Sequence, residues 1–217
     1  MPRPQLSEEV ASYLRQSIMA GEYAPGAPVR VETVAGDLDV SATPVREALH
    51  TLRAEGFLEL LPRRGFIVAP LVGDDIRDIF EAHALIAGEL AARAAERATS
   101  EQIADLGEVH SKLLKAAEVS DPDELELANN EFHDGLYLLS GSVRLRWALT
   151  NFSKYVPRAF FPQIDGWVER TASDHGEIFE ALKGGDAERA RICMAQHIRN
   201  SGEKLAEYFD SRYPAAT

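Results

Sequence analysis

The chain has 217 residues, of which 45% are hydrophobic and 27% charged, so it is long enough for two modest globular domains. No apolar run approaches the roughly 20 residues of a membrane span, and the first residues lack the apolar core of a signal peptide. The single cysteine excludes an internal disulfide, and together these features predict a cytoplasmic protein.

The net charge of −12 is distributed unevenly along the chain. Residues 1–70 hold seven arginines and nine acidic residues, which leaves a charge of −2, and the remaining −10 lies in residues 71–217. A DNA-binding surface is normally basic, so the total charge argues weakly against a nucleic-acid partner. A nearly neutral first domain is nevertheless compatible with DNA binding, provided that its arginines cluster. We predict two domains, 1–70 and 71–217.

Two short helices are predicted in the first 40 residues. Ser7 is the predicted N-cap of the first helix, and Gly21 ends it. The apolar residues of this helix recur every four positions: Val10, Leu14 and Ile18. A turn at residues 23–26 leads to a second helix at about residues 31–38.

The third predicted helix has the features of a helix that reads DNA. Thr43 is a good N-cap, and Pro44 at the first helical position loses no hydrogen bond. One face of the helix is apolar and is expected to be buried: Val45, Ala48, Leu49 and Leu52. Arg46 and Arg53 point elsewhere, and exposed arginines on a short helix after a tight turn are typical of a helix-turn-helix.

Two β-rich runs follow, at residues 57–61 and 66–68, on either side of the turn Pro62-Arg63-Arg64-Gly65. Such runs around a glycine-containing turn predict a β-hairpin, here with two arginines at its tip. Three helices and a basic hairpin together predict a winged helix-turn-helix domain. The alternative is a small helical domain with an arginine-rich surface loop, since arginines on loops are common and form ion pairs readily.

Residues 7–70 resemble the DNA-binding domain of the GntR family of bacterial transcription regulators. The matching motifs are Pro25-Gly26, Val40-Ser41, Thr43-Pro44-Val45-Arg46-Glu47-Ala48-Leu49, Leu52, Glu55-Gly56 and Arg64-Gly65. The resemblance implies that Arg46 contacts base edges and that Thr43 lies near the phosphates. We add Arg53, Arg63, Arg64 and Gly65 to the predicted DNA-binding residues. The family usually has arginine where this chain has Ala42, a departure that concerns operator affinity or spacing rather than the fold.

Residues 71–217 contain no convincing alternating strand and predict helix after helix. The predicted helices start at Asp74, after the cap Ser100, at Pro122 after the cap Asp121, at Ser142, at about Val168, and after the cap Asp186. Short loops between capped helices favour an antiparallel bundle. The predicted fold is therefore mainly α, with an N-terminal winged helix-turn-helix containing a small β-hairpin and a C-terminal bundle of six or seven helices.

Three of the six histidines lie on three different predicted helices of this bundle: His133, His175 and His197. Asn129 precedes His133 by four residues and therefore shares its helix face. Imidazoles that converge from separate helices are a metal-site arrangement, and they suit zinc, nickel, copper or iron. The alternative for each histidine taken alone is a hydrogen-bonded core or surface residue. Asn130 competes with Asn129, and Cys193, one turn before His197, is either a thiolate ligand or a structural residue.

Residues 71–210 resemble the FCD ligand-binding domain of the FadR branch of the same family. The matching motifs are Asn129 with Phe132-His133, Asp174-His175-Gly176-Glu177-Ile178 and Gln196-His197-Ile198. The resemblance implies that Asn129, His133, His175 and His197 hold a divalent metal ion, with zinc or nickel favoured. Two departures are the asparagine at 129, where the family has aspartate, and His83, where the family usually has an arginine near the ligand acid.

These features predict a homodimeric transcription regulator without catalytic residues. Two winged domains would read a palindromic DNA operator with half-sites about one helical turn apart. A small carboxylate effector would bind at the metal, with His83 and Arg158 as its contacts. The alternatives are a regulator that senses the metal itself and a metal-dependent enzyme. No His-Glu-x-x-His signature occurs, and Glu131 and Glu177 each lie two residues from a ligand and so should point away.

Overall fold

A computed structural model describes residues 6–119, 121–156 and 167–213. The chain forms two compact units, one comprising Met1–Leu71 with Lys154–Pro157 and the other Val72–Ser153 with Arg158–Thr217. The sequence pattern does not predict that the segment after residue 153 joins the first unit, because this segment contacts residues that are far away in the sequence. Arg158, a predicted effector contact, lies outside the described residues.

Three short helices build the core of the first unit: α1 (Leu6–Met19), α2 (Val31–Asp37) and α3 (Ala42–Ala54). The predicted apolar face of α3 is buried, and Val45, Ala48, Leu49 and Leu52 have no exposed surface. The same holds for Leu14 on α1, so the four-residue periodicity correctly identified the inward side of that helix. Gly56 follows the end of α3 with φ of +89°, a conformation that suits glycine at a helix terminus.

The first unit also contains a three-stranded antiparallel sheet, in the order β1 (Pro28–Val29), β3 (Gly65–Val68) and β2 (Leu58–Leu61). Strands β2 and β3 are the predicted hairpin, with Leu58 paired to Val68. Strand β1 adds a third member that sequence analysis missed. It is two residues long and lies in a stretch rich in proline and glycine, where turn signals dominate the pattern. The mainly helical fold with a small β-element is thus confirmed, with a larger sheet than expected.

The predicted start of the recognition helix is wrong by two residues. The helix begins at Ala42 after Ser41, which has extended backbone angles and no side-chain capping bond. Thr43 and Pro44 therefore lie inside the first turn rather than at the cap and the first position. Proline is accepted there because the N–H groups of a first turn have no partner within the helix.

Six helices make up the described part of the second unit. They are α4 (Gly73–Arg97), α5 (Ser100–Val119), α6 (Pro122–Leu139), α7 (Val143–Ser153), α8 (Trp167–Lys183) and α9 (Ala187–Arg212). None of the helices among the described residues is long and apolar enough to cross a membrane.

The helix caps of the second unit follow the predictions with one exception. The Asp121 carboxylate accepts a hydrogen bond from the backbone N–H of Glu124 at 3.1 Å, and Asp186 caps α9 in the same way. At the start of α5 the capping residue is Thr99 rather than Ser100. Thr99 and Gln102 each accept a bond from the other's backbone N–H, at 3.2 and 3.0 Å, so a capping box one residue earlier replaces the expected serine cap. Ser7 likewise lies within α1 rather than at its cap.

Helices α4 and α9 pack closely because small residues lie between them. A side chain added at Gly202 on α9 would overlap Phe80 on α4, which is 2% exposed. Gly88 on α4 similarly faces the backbone carbonyl of Arg191. Outside this seam, ion pairs join the two helices, including Arg199 to Glu81 at 2.6 Å. The helix that carries His197 is therefore fixed to α4 along much of its length.

We expect Gly202→Ala to destabilise the protein by about 1–3 kcal/mol, since the added methyl group must displace the buried ring of Phe80. Gly176→Ala on α8 is the matched control, because no atom lies within 4 Å of the added carbon. It should stabilise the helix by about 0.5–1 kcal/mol through the better helix propensity of alanine. Urea unfolding measures both free energies. Equal effects of the two substitutions would contradict close packing at Gly202.

Candidate metal centre and DNA-binding surface

His133, His175 and His197 converge from helices α6, α8 and α9. Their ligand nitrogen atoms all lie within 4.8 Å of one another. The centres of the rings are 4.6 Å apart for His175 and His197 and 5.0 Å apart for His133 and His175. Among the described residues, this is the group of histidine, cysteine and acidic side chains that could hold a metal ion.

Hydrogen bonds fix the orientation of two of these rings from within their own helices. His175 Nδ1 donates to the backbone carbonyl of Thr171 at 2.8 Å, so its proton is on Nδ1 and Nε2 keeps its lone pair. His133 Nδ1 lies 3.2 Å from the hydroxyl oxygen of Tyr137. That hydroxyl also lies 3.7 Å from the sulfur of Met194. Burial raises the pKa of Tyr137, and its hydroxyl stays protonated.

The third ring is oriented by a carboxylate on a neighbouring helix. His197 Nδ1 donates to Asp174 Oδ2 at 3.2 Å, and the side-chain amide of Asn200 donates to the same oxygen at 3.3 Å. Burial raises the pKa of Asp174, but these two hydrogen bonds outweigh it and bring the pKa below its usual value. Asp174 is therefore a negative charge that fixes the orientation of the His197 ring. A carboxylate that fixes a histidine in this way is common behind metal-ligating imidazoles.

Two buried polar atoms beside this cluster have no hydrogen-bond partner among the described residues: His175 Nε2 and Asn129 Oδ1. Buried polar atoms are nearly always paired, so two unpaired acceptors on one cluster indicate a site that suits a cation. Asn129 lies one turn before His133 on the same face of α6. The three converging imidazoles could therefore hold a divalent metal ion.

Burial also keeps two of the three histidines neutral. It lowers the pKa of His133 and of His175 well below the usual value, and the proximity of His197 adds to both shifts. A neutral imidazole is the form that binds a metal ion. His133 and His175 are therefore in their binding form at neutral pH.

His83 on α4, a predicted effector contact, is 4% exposed, and its Nδ1 has no partner among the described residues. Burial, and to a lesser degree the proximity of His197, lowers its pKa to about 4. His83 thus lies close enough to the cluster to interact with it electrostatically. Its role toward an effector stays a prediction, as does that of Arg158.

The remaining candidates lie outside the cluster. Cys193 is half-buried, and its sulfur lies 3.9 Å from Glu177 Oε2, so the thiolate alternative finds no support. Glu131 pairs with Lys112 at 3.9 Å. As expected from their spacing, neither acid joins the histidines. His110 stacks on Phe179 instead, with ring centres 4.9 Å apart.

Sequence analysis missed the residues that orient the histidines. Tyr137 could have been found, because it lies four residues after His133 on one helix face. Asp174 stands next to His175 in the quoted motif, yet it serves His197 on another helix. No spacing rule predicts that cross-helix pairing.

The predicted DNA-binding residues form an exposed, basic surface on the first unit. All six are solvent-exposed on α3 or the β2–β3 turn: Thr43, Arg46, Arg53, Arg63, Arg64 and Gly65. Their acidic neighbour Glu47 is exposed as well. Within the described ranges no acidic side chain forms an ion pair with any of these four arginines, whereas the buried Arg15 is paired with Glu8 and Glu55. Arg63 has φ of +65° and Gly65 φ of +75°, which makes the turn tight and carries both arginines at its tip.

Comparisons with known proteins agree with this two-part organisation. The pattern that defines the FCD domain matches residues 78–200. The pattern of the gntR family of bacterial regulatory proteins matches residues 6–68.

Individual relatives extend the match over nearly the whole chain. An uncharacterized HTH-type transcriptional regulator in an unstable DNA locus of Streptomyces ambofaciens is 31% identical over 190 residues, covering 86% of this chain and 79% of that protein. The HTH-type transcriptional repressor RspR of Escherichia coli K12 is 27% identical over 210 residues, which are 95% of this chain and 91% of that protein. The solved structure of E. coli McbR/YncC has a TM-score of 0.73 at 24% identity, with coverage of 95% and 99%, and shows the same fold.

The buried His83 predicts a pH-dependent stability of the metal-free protein. Its pKa falls from 6.5 to about 4 on folding, so between these values the unfolded chain binds the proton more readily. The contribution of His83 to stability is complete above pH 6.5 and is lost as the pH falls toward 4, by about 3 kcal/mol in all at about 1.4 kcal/mol per pKa unit. We expect the free energy of unfolding in urea with EDTA to decrease less steeply with falling pH in His83→Leu. An unchanged pH slope would show that His83 is not buried in its neutral form.

Proposed function

This chain belongs to the gntR family of bacterial regulatory proteins that carry an FCD domain, and we propose that a divalent metal and a small organic acid modulate its binding to DNA. Its relatives are transcription regulators rather than enzymes, and the chain is a DNA-binding transcriptional regulator of the same type. The proposal concerns the metal, the effector, the homodimer and the residues that carry these functions.

One observation carries the metal part of the proposal. All three histidines of the cluster have Nδ1 engaged in a hydrogen bond, so Nε2 is the ring nitrogen that each can offer to a metal ion. Tyr137 on α6 and Thr171 and Asp174 on α8 supply these bonds, so residues of two helices orient all three rings. His133, His175, His197 and Asn129 would hold the ion, and Asp174 would act through His197.

The charge of the site supports a carboxylate as the effector. A divalent ion held by three neutral imidazoles and an amide oxygen would supply uncompensated positive charge in a poorly solvated interior. Asp174 offsets only part of that charge, because it contacts His197 and would not bind the ion directly. A small organic acid supplies the rest, with His83 and Arg158 as its proposed contacts. His83 Nδ1 is a buried atom without a partner among the described residues, which suits a hydrogen bond to such an acid.

A regulator that senses the metal alone is the second candidate. The unpaired Asn129 Oδ1 and His175 Nε2 favour ion binding but do not by themselves require an organic acid. Operator binding measured with metal-free protein, with Zn²⁺, and with Zn²⁺ plus citrate separates the two. A response to Zn²⁺ alone that citrate does not alter favours the metal sensor.

The homodimer follows from how a winged helix-turn-helix reads DNA. One α3 helix contacts only a few base pairs, and two copies related by a two-fold axis would contact a palindromic operator. The four arginines without ion pairs among the described residues are available for phosphates and bases. Arg46 lies on the exposed side of α3 and is the proposed base-reading residue, while Thr43, Arg53, Arg63, Arg64 and Gly65 are proposed to contact the backbone and groove.

The metal content of histidine variants tests the proposed ligands. We expect His133→Ala, His175→Ala and His197→Ala each to lose most of the bound zinc or nickel, since each removes one ligand. Asp174→Asn should keep the ligands but weaken metal affinity by about 10–100-fold, because it removes the charge that orients His197. Elemental analysis and calorimetric titration measure these effects.

His110→Ala is the matched control for the metal experiment. His110 is buried in the same unit, but it stacks on Phe179 and does not join the cluster. It should retain its metal even if the protein loses some stability. Equal metal content in all four histidine variants would refute the assigned site.

Operator binding by arginine variants separates base reading from phosphate contact. Arg46→Ala should weaken binding to an operator selected from random DNA by about 1–3 kcal/mol and relax the base preference. Arg63→Ala should weaken binding about equally for all sequences and lower the salt slope by about one unit. Glu47→Ala, an exposed neighbour of Arg46 without a positive charge, should not reduce affinity. If Arg46→Ala binds like the wild type, α3 is not placed in the groove as proposed.

A further inference from the structure

The end of the recognition helix is contacted by residues that lie a hundred positions later in the chain. Within the first unit, the ring of Tyr155 stacks on Phe57 with ring centres 4.3 Å apart and planes inclined by 19°. The Tyr155 hydroxyl donates to the backbone carbonyl of Glu55 at 2.6 Å. Glu55 is the C-cap of α3, and Phe57 is fully buried. Tyr155 therefore contacts the chain on both sides of the helix terminus.

Ion pairs at Glu55 strengthen the same contact. Lys154 Nζ lies 2.8 Å from Glu55 Oε1, and Arg15 Nε lies 2.8 Å from Oε2. The Glu55 side chain is only 11% exposed, so both of its oxygens are paired in a poorly solvated place. Partly buried pairs of this kind are screened less by salt than surface pairs. Lys154 and Arg15 thus hold the cap of α3 from two sides.

Gly56 shows how closely Tyr155 fits. Its φ of +89° suits glycine, and a Cβ atom at this position would lie 2.8 Å from the Tyr155 hydroxyl oxygen. Glycine is therefore required both by the backbone turn and by the space that Tyr155 takes. The contact surface between Tyr155 and residues 55–57 leaves no room for a side chain.

Chain connectivity links this contact to the helices of the second unit. Helix α7 ends at Ser153, the residue before Lys154. Within the second unit, a cavity of about 310 Å³ separates parts of α6 and α7, and its lining includes Tyr137, Trp147, Leu149 and Ser153. Tyr137 is the residue that hydrogen-bonds the candidate ligand His133. Helix α7 therefore lines a cavity that also contains a residue bonded to the candidate metal centre, and its last residue is followed directly by Lys154 and Tyr155.

We propose that Lys154 and Tyr155 are positioning residues for the DNA-recognition helix, and that they transmit the liganded state of the second unit to it. The transmission rests on the proposed function, because it requires a ligand that binds one arrangement of the second unit better than another. The positioning does not, because the stacking, the hydrogen bond and the ion pair belong to the first unit alone. The two parts can therefore be tested separately.

Hydrogen exchange tests the positioning without DNA or metal. We expect Tyr155→Ala to increase amide exchange at residues 51–58 by at least tenfold, and Tyr155→Phe, which keeps the stacked ring, to increase it by a few-fold. Lys154→Met should act on the same residues. Tyr13→Ala, at a half-exposed tyrosine on α1, is the matched control and should leave residues 51–58 unchanged. If both Tyr155 variants and Lys154→Met exchange the amides of residues 51–58 at the wild-type rate, the positioning role is overturned.

Operator binding tests the transmission in the full-length protein. The readout is the ratio of operator Kd values without and with the ligand, using Zn²⁺ alone and Zn²⁺ plus citrate as probes. We expect Tyr155→Ala and Lys154→Met to bring this ratio to within about twofold of one, with calorimetric Zn²⁺ affinity unchanged. Lys112→Met, which removes an exposed lysine of the second unit, should keep the wild-type ratio. A merely structural role would change both Kd values equally and leave the ratio intact, and that result overturns transmission.

Failure of the proposed function gives a different pattern. A wild-type protein that binds Zn²⁺ but shows a ratio of one with both probes contradicts ligand control of DNA binding and rejects transmission with it. The exchange experiment then decides the positioning role alone. A wild-type ratio far from one that persists in Tyr155→Ala instead rejects only the route through residues 154 and 155.

Discussion

The hydrogen bonds at the Nδ1 atoms of the three clustered histidines are the interactions on which the second unit depends. A buried imidazole can rotate and change tautomer unless its second nitrogen is fixed, and here a backbone carbonyl, a phenol and a carboxylate fix one ring each. Two of these bonds lie within single helices, α6 and α8, and the third joins α8 to α9. The packing of α8 against α9 and the orientation of the His197 ring are therefore determined by the same contact.

This arrangement reduces the stability of the metal-free protein in favour of binding. An unpaired polar atom in the interior costs about 1–3 kcal/mol, and the cluster contains two, His175 Nε2 and Asn129 Oδ1, among the described residues. The neutral state of His133 and His175 at neutral pH removes the competing protons. A ligand that satisfies these atoms stabilises the folded chain in proportion to its affinity, as any ligand specific for the native state does.

The sequence was sufficient for the features that repeat locally and insufficient for those that depend on distant residues. The apolar spacing on α3 predicted its buried face, and the caps Asp121 and Asp186 predicted two helix starts. Strand β1 was missed because its pairing with β3 joins positions nearly 40 residues apart. The true start of α3 differed because proline is accepted anywhere in a first turn. The roles of Asp174 and Tyr155 were missed since both act on residues of other elements.

The close packing of α4 and α9 has a consequence for how the histidine cluster can respond. Helix α9 has 26 residues, a length of about 39 Å at 1.5 Å per residue, and small residues and ion pairs join it to α4. His197 therefore lies on a helix that is held firmly against α4. Any adjustment around a bound ligand must come from α6 and α8, which carry the other two histidines. Helix α9 is thus the fixed side of the cluster, and α6, which is followed directly by α7, is on the side that can adjust.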